Sequence, residues 1–188
     1  ESIETSQAGL YHAKIFGQKG SSEPVVQVIM LDTRYFRTPL LVNPDTSNPL
    51  RKYVASTNLD STLLGESQWK WLEVQLKMHA DIRFIVSSIQ FVAEGHGFEK
   101  WSNFPDEKEK FLRLLKSNHL KNVFIFSGDR HLGIISKQEI KNWGTLWDIT
   151  ASSINKSSTL SETDPSYVGQ PYKMENFGLA SIDWKLKK

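Results

Sequence analysis

The feature that most constrains this chain is an alternation of two periodicities. Residues 25–31 form a β-branched apolar run of strand length, following the turn-prone stretch 19–24 and ending at polar Asp32-Thr33-Arg34. From Gly65 the apolar positions Trp69, Leu72 and Leu76 recur at spacings of three and four, with Glu73 and Lys77 placed to pair on the opposite face. Residues 82–88 read as a second buried strand. Residues 106–116, behind Pro105, read as a second helix with Phe111, Leu112 and Leu115 as its stripe, and residues 122–126 as a third strand. Strand, helix, strand, helix, strand at this spacing predicts an α/β layered domain with a parallel segment. Shorter runs at 134–135, 146–150 and 177–183 finish it with antiparallel strands. Residues 37–64, with Pro39, Pro44 and Pro49, and residues 155–176 read as two long irregular loops, the second a rim or lid.

Composition narrows the class. A chain of 188 residues, 39% of them hydrophobic, buries a core without disulfides or a structural metal. Having no cysteine, it has no thiolate metal site, thiol nucleophile or iron–sulfur cluster of its own. The 23 Lys and Arg against 21 Asp and Glu leave a charge of +2, spread along the chain. The densest basic run, Lys185-Leu186-Lys187-Lys188, reads as a solvated tail, so nucleic-acid binding through charge is not expected. No window approaches the ~18 consecutive apolar residues of a transmembrane segment. Glu1-Ser2-Ile3-Glu4-Thr5 has no basic or apolar leader character and no initiator Met precedes it, so the chain is expected to be processed or truncated, with sequence upstream.

In open α/β sheets ligands bind beyond the carboxyl ends of the strands. Three predicted strands end in polar clusters: Asp32-Thr33-Arg34, Ser87-Ser88-Ile89-Gln90 and Ser127-Gly128-Asp129-Arg130-His131. If the strands are adjacent, the clusters converge. In an extended stretch, the i, i+2 spacing sends Asp129 and His131 to one side, where a carboxylate and an imidazole suit a hard or borderline metal ion. The same residues also read as a turn-forming Asp and an ordinary polar His. Arg34 is a phosphate clamp or a structural ion pair, and Arg130 and Arg37 share that ambiguity. Asn118-His119 reads as a helix cap, and His96 and His79 as surface residues; His12 lies in an unplaced segment. Trp101 stands between elements and is the best rim candidate among six tryptophans. A serine hydrolase using Ser127 or Ser87 with His131 lacks the Gly-x-Ser-x-Gly elbow, and neither nucleotide-binding glycine motif is present.

Taken in order, Ile29-Met30-Leu31-Asp32-Thr33-Arg34-Tyr35-Phe36-Arg37, Leu64-Gly65-Glu66-Ser67-Gln68-Trp69-Lys70-Trp71-Leu72, Trp101-Ser102-Asn103-Phe104-Pro105 and Phe126-Ser127-Gly128-Asp129-Arg130-His131 resemble the PhoD-like alkaline phosphatase/phosphodiesterase family of calcineurin-like metallophosphoesterases. The match runs from about residue 9 to the end, and Asn176-Phe177-Gly178 fits the family's closing strand.

The resemblance implies a layered αββα sandwich with mixed sheets, incomplete in this chain. Residues 1–188 would be the C-terminal portion of a single catalytic domain, because no Asp-x-His, Gly-Asp or Gly-Asn-His/Asp series precedes Asp32. It implies metal-dependent hydrolysis of phosphate esters, with Asp129 and His131 on the metals and Arg34 and Gln90 near the substrate phosphate. A divalent or mixed metal centre, with calcium and iron suggested, and a periplasmic or secreted location follow from the same resemblance. The partners implied are a phosphate ester and the missing N-terminal half. The other reading is an inactive fragment or degenerate homologue that binds phosphate or a partner. With half the domain absent, the uncovered sheet is expected to make the isolated chain poorly soluble.

Overall fold

The computed structural model describes residues 7–17, 24–160 and 162–184. Glu1-Ser2-Ile3-Glu4-Thr5, most of the turn-prone stretch before residue 24 and the basic run after residue 184 lie outside the described residues. The elements are strands β1 (His12–Phe16), β2 (Val26–Met30), β3 (Ile82–Val86), β4 (Val123–Ser127), β5 (Gly133–Ile140) and β6 (Gly144–Ala151), with helices α1 (Gly65–Leu76) and α2 (Pro105–Ser117). They form a six-stranded sheet of order β1-β2-β3-β4-β6-β5. β2, β3, β4 and β6 run parallel, and β1 and β5 close the two edges antiparallel. The expected parallel segment is present within one mixed sheet, but of the strands expected to finish it antiparallel only β5 does so, while β6 runs parallel to β4.

Pleating sorts the strands into two faces. On one, the register aligns Ile29, Ile85 and Ile125 in a row, each at most 1% exposed. Trp69, Leu72 and Leu76 of α1 and Phe111 and Leu115 of α2 cover that row, as their spacing predicts. Glu107 of α2 fixes the start of α1: its carboxylate accepts the N–H groups of Leu63 (2.7 Å) and Leu64 (2.9 Å) and the Trp69 indole N–H (2.7 Å). It thus satisfies helix-entry donors and favours the positive end of the dipole. Gly65 has φ +71°, and a Cβ there would lie 2.7 Å from Phe36 Cβ, so the chain enters α1 only with glycine.

Several local expectations need correction. Glu73 pairs with Lys110 of α2 (3.3 Å), not with Lys77, because α1 ends at Leu76. His12 belongs to β1, an exposed edge strand whose weak apolar alternation gives little sequence signal. Residues 177–183 form no strand. Asn176 bridges to Ser153, just past β6, and Phe177 and Leu179 are 80% and 86% exposed. The loop 155–176 instead runs beside β5, bridging at Tyr167 and Tyr172.

Candidate active site

Because β2, β3 and β4 are adjacent and parallel, their carboxyl ends bring the three polar clusters to one edge of the sheet. Asp32 turns the chain after β2. Its Oδ1 accepts the N–H groups of Arg34 (2.8 Å) and Tyr35 (2.9 Å), and its Oδ2 that of Leu10 (2.8 Å). Partial burial raises the Asp32 pKa, but these three donors outweigh it and hold the carboxyl below its ordinary range. Gln68 of α1 clamps the Asp32 backbone from both sides. Arg34 is thereby aimed across the strand ends, where it donates to Asp129 Oδ2 (3.2 Å) and pairs with Glu99 (2.8 Å). Arg37 pairs with the same Glu99 (2.7 Å). Thr33 and Ser88 hydroxyls join the ends of β2 and β3.

Residues 127–131 are bent, not extended. Asp129 and His131 take left-handed φ values of +61° and +55°, uncommon outside glycine and frequent at functional sites. The Ser152 hydroxyl holds the turn by accepting the N–H groups of Arg130 (3.1 Å) and His131 (3.0 Å). Asp129 and His131 nevertheless line one cavity of about 320 Å³, with Lys52, Tyr53 and Glu99 on its wall. Arg130 is occupied elsewhere: it pairs with Glu162 and lies 4.8 Å over the Phe98 ring. Among the described residues no group of three or more His, Cys, Asp or Glu is placed to hold a metal.

Gln90 lies beneath this edge with no exposed surface, its Nε2 donating to Thr150 Oγ1 (2.8 Å). Thr150 and Ser127 exchange a hydroxyl hydrogen bond (2.8 Å), and Ser127 donates to Asp148 Oδ1 (2.6 Å). Asp148 Oδ2 accepts the N–H groups of Phe91 (2.8 Å) and Val92 (3.0 Å), tying β6 to the chain after β3. Complete burial pushes the Asp148 carboxyl up, against the pull of those donors. The Ser127 hydroxyl thus serves Asp148, and that of Ser87 serves Ile89 O (2.7 Å), so neither is bonded to His131 as a serine nucleophile would be.

Two readings of single residues are overturned. Trp101 is fully buried in a 3₁₀ turn, packed on Phe91 and Phe111, with its N–H on Ser87 Oγ (3.0 Å). His96 is 6% exposed, because Leu50 and Arg51 on one side and Leu160, Glu162 and Thr163 on the other close over it. Sequence reasoning passed over Asp148 and Glu99. Asp148 left a signal, as a lone acid within the apolar strand residues Leu146, Trp147 and Ile149; Glu99 left none.

Alkaline phosphatase D of Bacillus subtilis (strain 168) is 29% identical over 111 residues, covering 54% of this chain and 18% of that protein. The solved structure titled "Structure of PhoD" superposes with a TM-score of 0.57 at 23% identity, over 68% of this chain and 27% of that one, a likeness of fold. The chain thus spans under a third of either relative. The family description that matches residues 12–180 is PhoD-like phosphatase, and the chain belongs to that family.

Proposed function

We propose that the protein carrying this chain hydrolyses phosphate esters at a metal centre and that Asp129, His131 and Arg34 are this chain's share of the site. The observation that carries the reading is the meeting of Arg34 and Asp129 across the ends of β2 and β4, beside the cavity that Asp129 and His131 line. Family membership supports the reaction class.

The donor set bears on the metal. A carboxylate and an imidazole suit hard or borderline cations, in keeping with the calcium and iron that the resemblance suggests. They are two donors only, so they fit as part of a centre completed by residues from elsewhere and do not form a cage by themselves. A bound metal would activate water and polarise phosphoryl oxygens. This chain's residues do the rest: the Arg34 guanidinium, paired here with Glu99 and Asp129, would turn to the phosphate oxygens and offset developing charge. Gln90 acts from below, through Thr150 and Ser127.

The second face of the sheet supports a further layer. Phe84, Phe124, Phe126 and Ile149 front an open apolar groove of about 700 Å³ that a second sheet of a layered αββα sandwich would fill. In this reading residues 1–188 are the C-terminal portion of one catalytic domain, its N-terminal half supplies that sheet and the remaining ligands, and the protein works in the periplasm or outside the cell. No helix among the described residues is long and apolar enough to cross a membrane.

The test is His131→Ala in the full-length protein, assayed on p-nitrophenyl phosphate and bis(p-nitrophenyl) phosphate with metal content measured on the same sample. Turnover and metal occupancy are expected to fall together, by about 10- to 100-fold. Unchanged values remove His131 from the site. A metal-loaded wild type that hydrolyses neither ester is instead a phosphate- or partner-binding homologue.

A further inference from the structure

The cavity lined by Asp129 and His131 shares Phe98 and Leu160 as a wall with a second cavity of about 210 Å³. Its lining includes Arg51, His96 and Glu162. Two glycines build it: a Cβ on Gly97 would run into the backbone of Leu50 and Arg51, and one on Gly95 would stand 2.9 Å from Asp164 Oδ2. The Arg51 and His96 loops are therefore held in direct contact.

Positive groups outnumber negative ones around this cavity: Arg51, Lys100 and Arg130 stand near Glu162 and Asp164, and the Asp164 carboxylate is held by the N–H groups of Glu94 (2.8 Å) and Gly95. His96 Nδ1 accepts the Phe98 N–H (3.2 Å), which leaves the proton of the neutral ring on Nε2. That Nε2 is buried without a hydrogen-bond partner among the described residues, a costly state for a donor. Burial first, and then the charges of Arg130 and Lys100, push the His96 pKa down to about 3, so the ring is an uncharged donor in a positive potential. Lys100 Nζ donates to the carbonyls of His96 (2.6 Å) and Phe98 (3.3 Å) and has no carboxylate partner among the described residues. The Arg51 guanidinium is likewise in no ion pair among them. Glu162, the acid of this wall, is already engaged by Arg130 and by the Tyr167 hydroxyl (2.5 Å).

We infer that the second cavity binds an anionic group, a carboxylate or a second phosphoryl group, carried on the alcohol side of the phosphate ester, with Arg51 and His96 Nε2–H as its donors. The inference rests on the phosphate-ester reading of the neighbouring cavity and deepens it to a substrate class: esters whose leaving group bears its own negative charge. Arg51 supplies the planar, charged fork and His96 a neutral hydrogen bond.

The experiment is calorimetric titration of the full-length, metal-loaded protein with three unreactive probes: 3-phosphonopropionate, ethylene-1,2-diphosphonate and propylphosphonate, which lacks the second anion. At least one probe with two anionic groups is expected to bind about tenfold more tightly than propylphosphonate, the size of one charge-assisted hydrogen bond. The tighter of the two says whether a carboxylate or a phosphoryl group is preferred. Arg51→Ala, at an exposed position, and His96→Leu should each erase the advantage. Equal affinities, an advantage that survives Arg51→Ala or His96→Leu, or no binding by either probe with two anionic groups overturns the inference. Because the readout is a binding ratio, it is separable from the main reading, which fails if the same metal-loaded sample releases no phosphate from p-nitrophenyl phosphate.

Discussion

On one face of the sheet the row Ile29, Ile85, Ile125 is sealed, while on the other the adjoining row Met30, Val86, Phe126, Ile149, Ile135 runs from exposed at its ends to half-buried at its centre. The strands are the same and both rows are apolar, so the difference lies in what covers them. The sealed face is finished by the chain's own helices, whose stripes are set by local spacing. The other carries an aromatic cluster, Phe84 5.1 Å from Phe126 and 6.1 Å from Phe124, in a groove bordered by residues that include the exposed Phe177 and Leu179. A strand that reads apolar at every position asks for cover on both faces, and this chain meets the demand on one.

The largest effect should come from breaking the sealed face. Trp101→Ala removes a fully buried ring from the trio with Phe91 and Phe111 and takes away the indole N–H that the Ser87 hydroxyl accepts. A loss of about 3–5 kcal/mol is expected in urea unfolding. A loss under about 1 kcal/mol would mean that this face is not the core. Next is Asp148, which stands in register with Ile125 on the same face. Asp148→Ala leaves the N–H groups of Phe91 and Val92 buried without acceptors and removes the carboxylate that the Ser127 hydroxyl serves, at a cost of about 3 kcal/mol. In the full-length protein it should also depress phosphatase turnover, since Ser127 leads directly into the Asp129–His131 turn. Asp148→Asn, which keeps an acceptor, should lose less on both counts.

Burial of His96 in the loops makes part of the stability acid-dependent. The folded-state pKa of His96, about 3, lies below the ordinary 6.5, so the unfolded chain binds a proton there that the folded chain refuses. Stability should therefore fall as pH drops from about 6.5 toward 3, by about 2 kcal/mol between pH 7 and pH 5 at 1.36 kcal/mol per unit. In His96→Gln that part of the slope should vanish from urea midpoints measured across the range. An unchanged slope would place the proton uptake on another group.

What could be read from the sequence follows from how local each signal is. β2, β3, β4 and both helices declare themselves through their own periodicity, and the converging strand ends follow once the strands are parallel. β1 does not, since four of its five residues are exposed. Asp129 and His131 were picked out by residue type, and they share a cavity for a reason other than extended spacing, through two left-handed residues held by Ser152. The burial of His96 and Trp101 was invisible because loops distant in sequence close over the first and helix α2 over the second.

The smallest effect, and the sharpest gauge of the difference between the faces, is Phe124→Ala. Its ring is half-buried on the uncovered face, in contact with Phe84 but with no helix above it. In the 188-residue chain the substitution should cost about 1 kcal/mol, well short of a core phenylalanine. In a longer protein whose second layer packs on this face, the same substitution should cost about 3 kcal/mol or more, because the cavity it leaves is then enclosed. Urea unfolding of both lengths reads the difference directly. Equal small losses would leave the face open in the whole protein and remove the second layer from the proposed architecture, while equal large losses would mean that residues 176–183 already seal the groove.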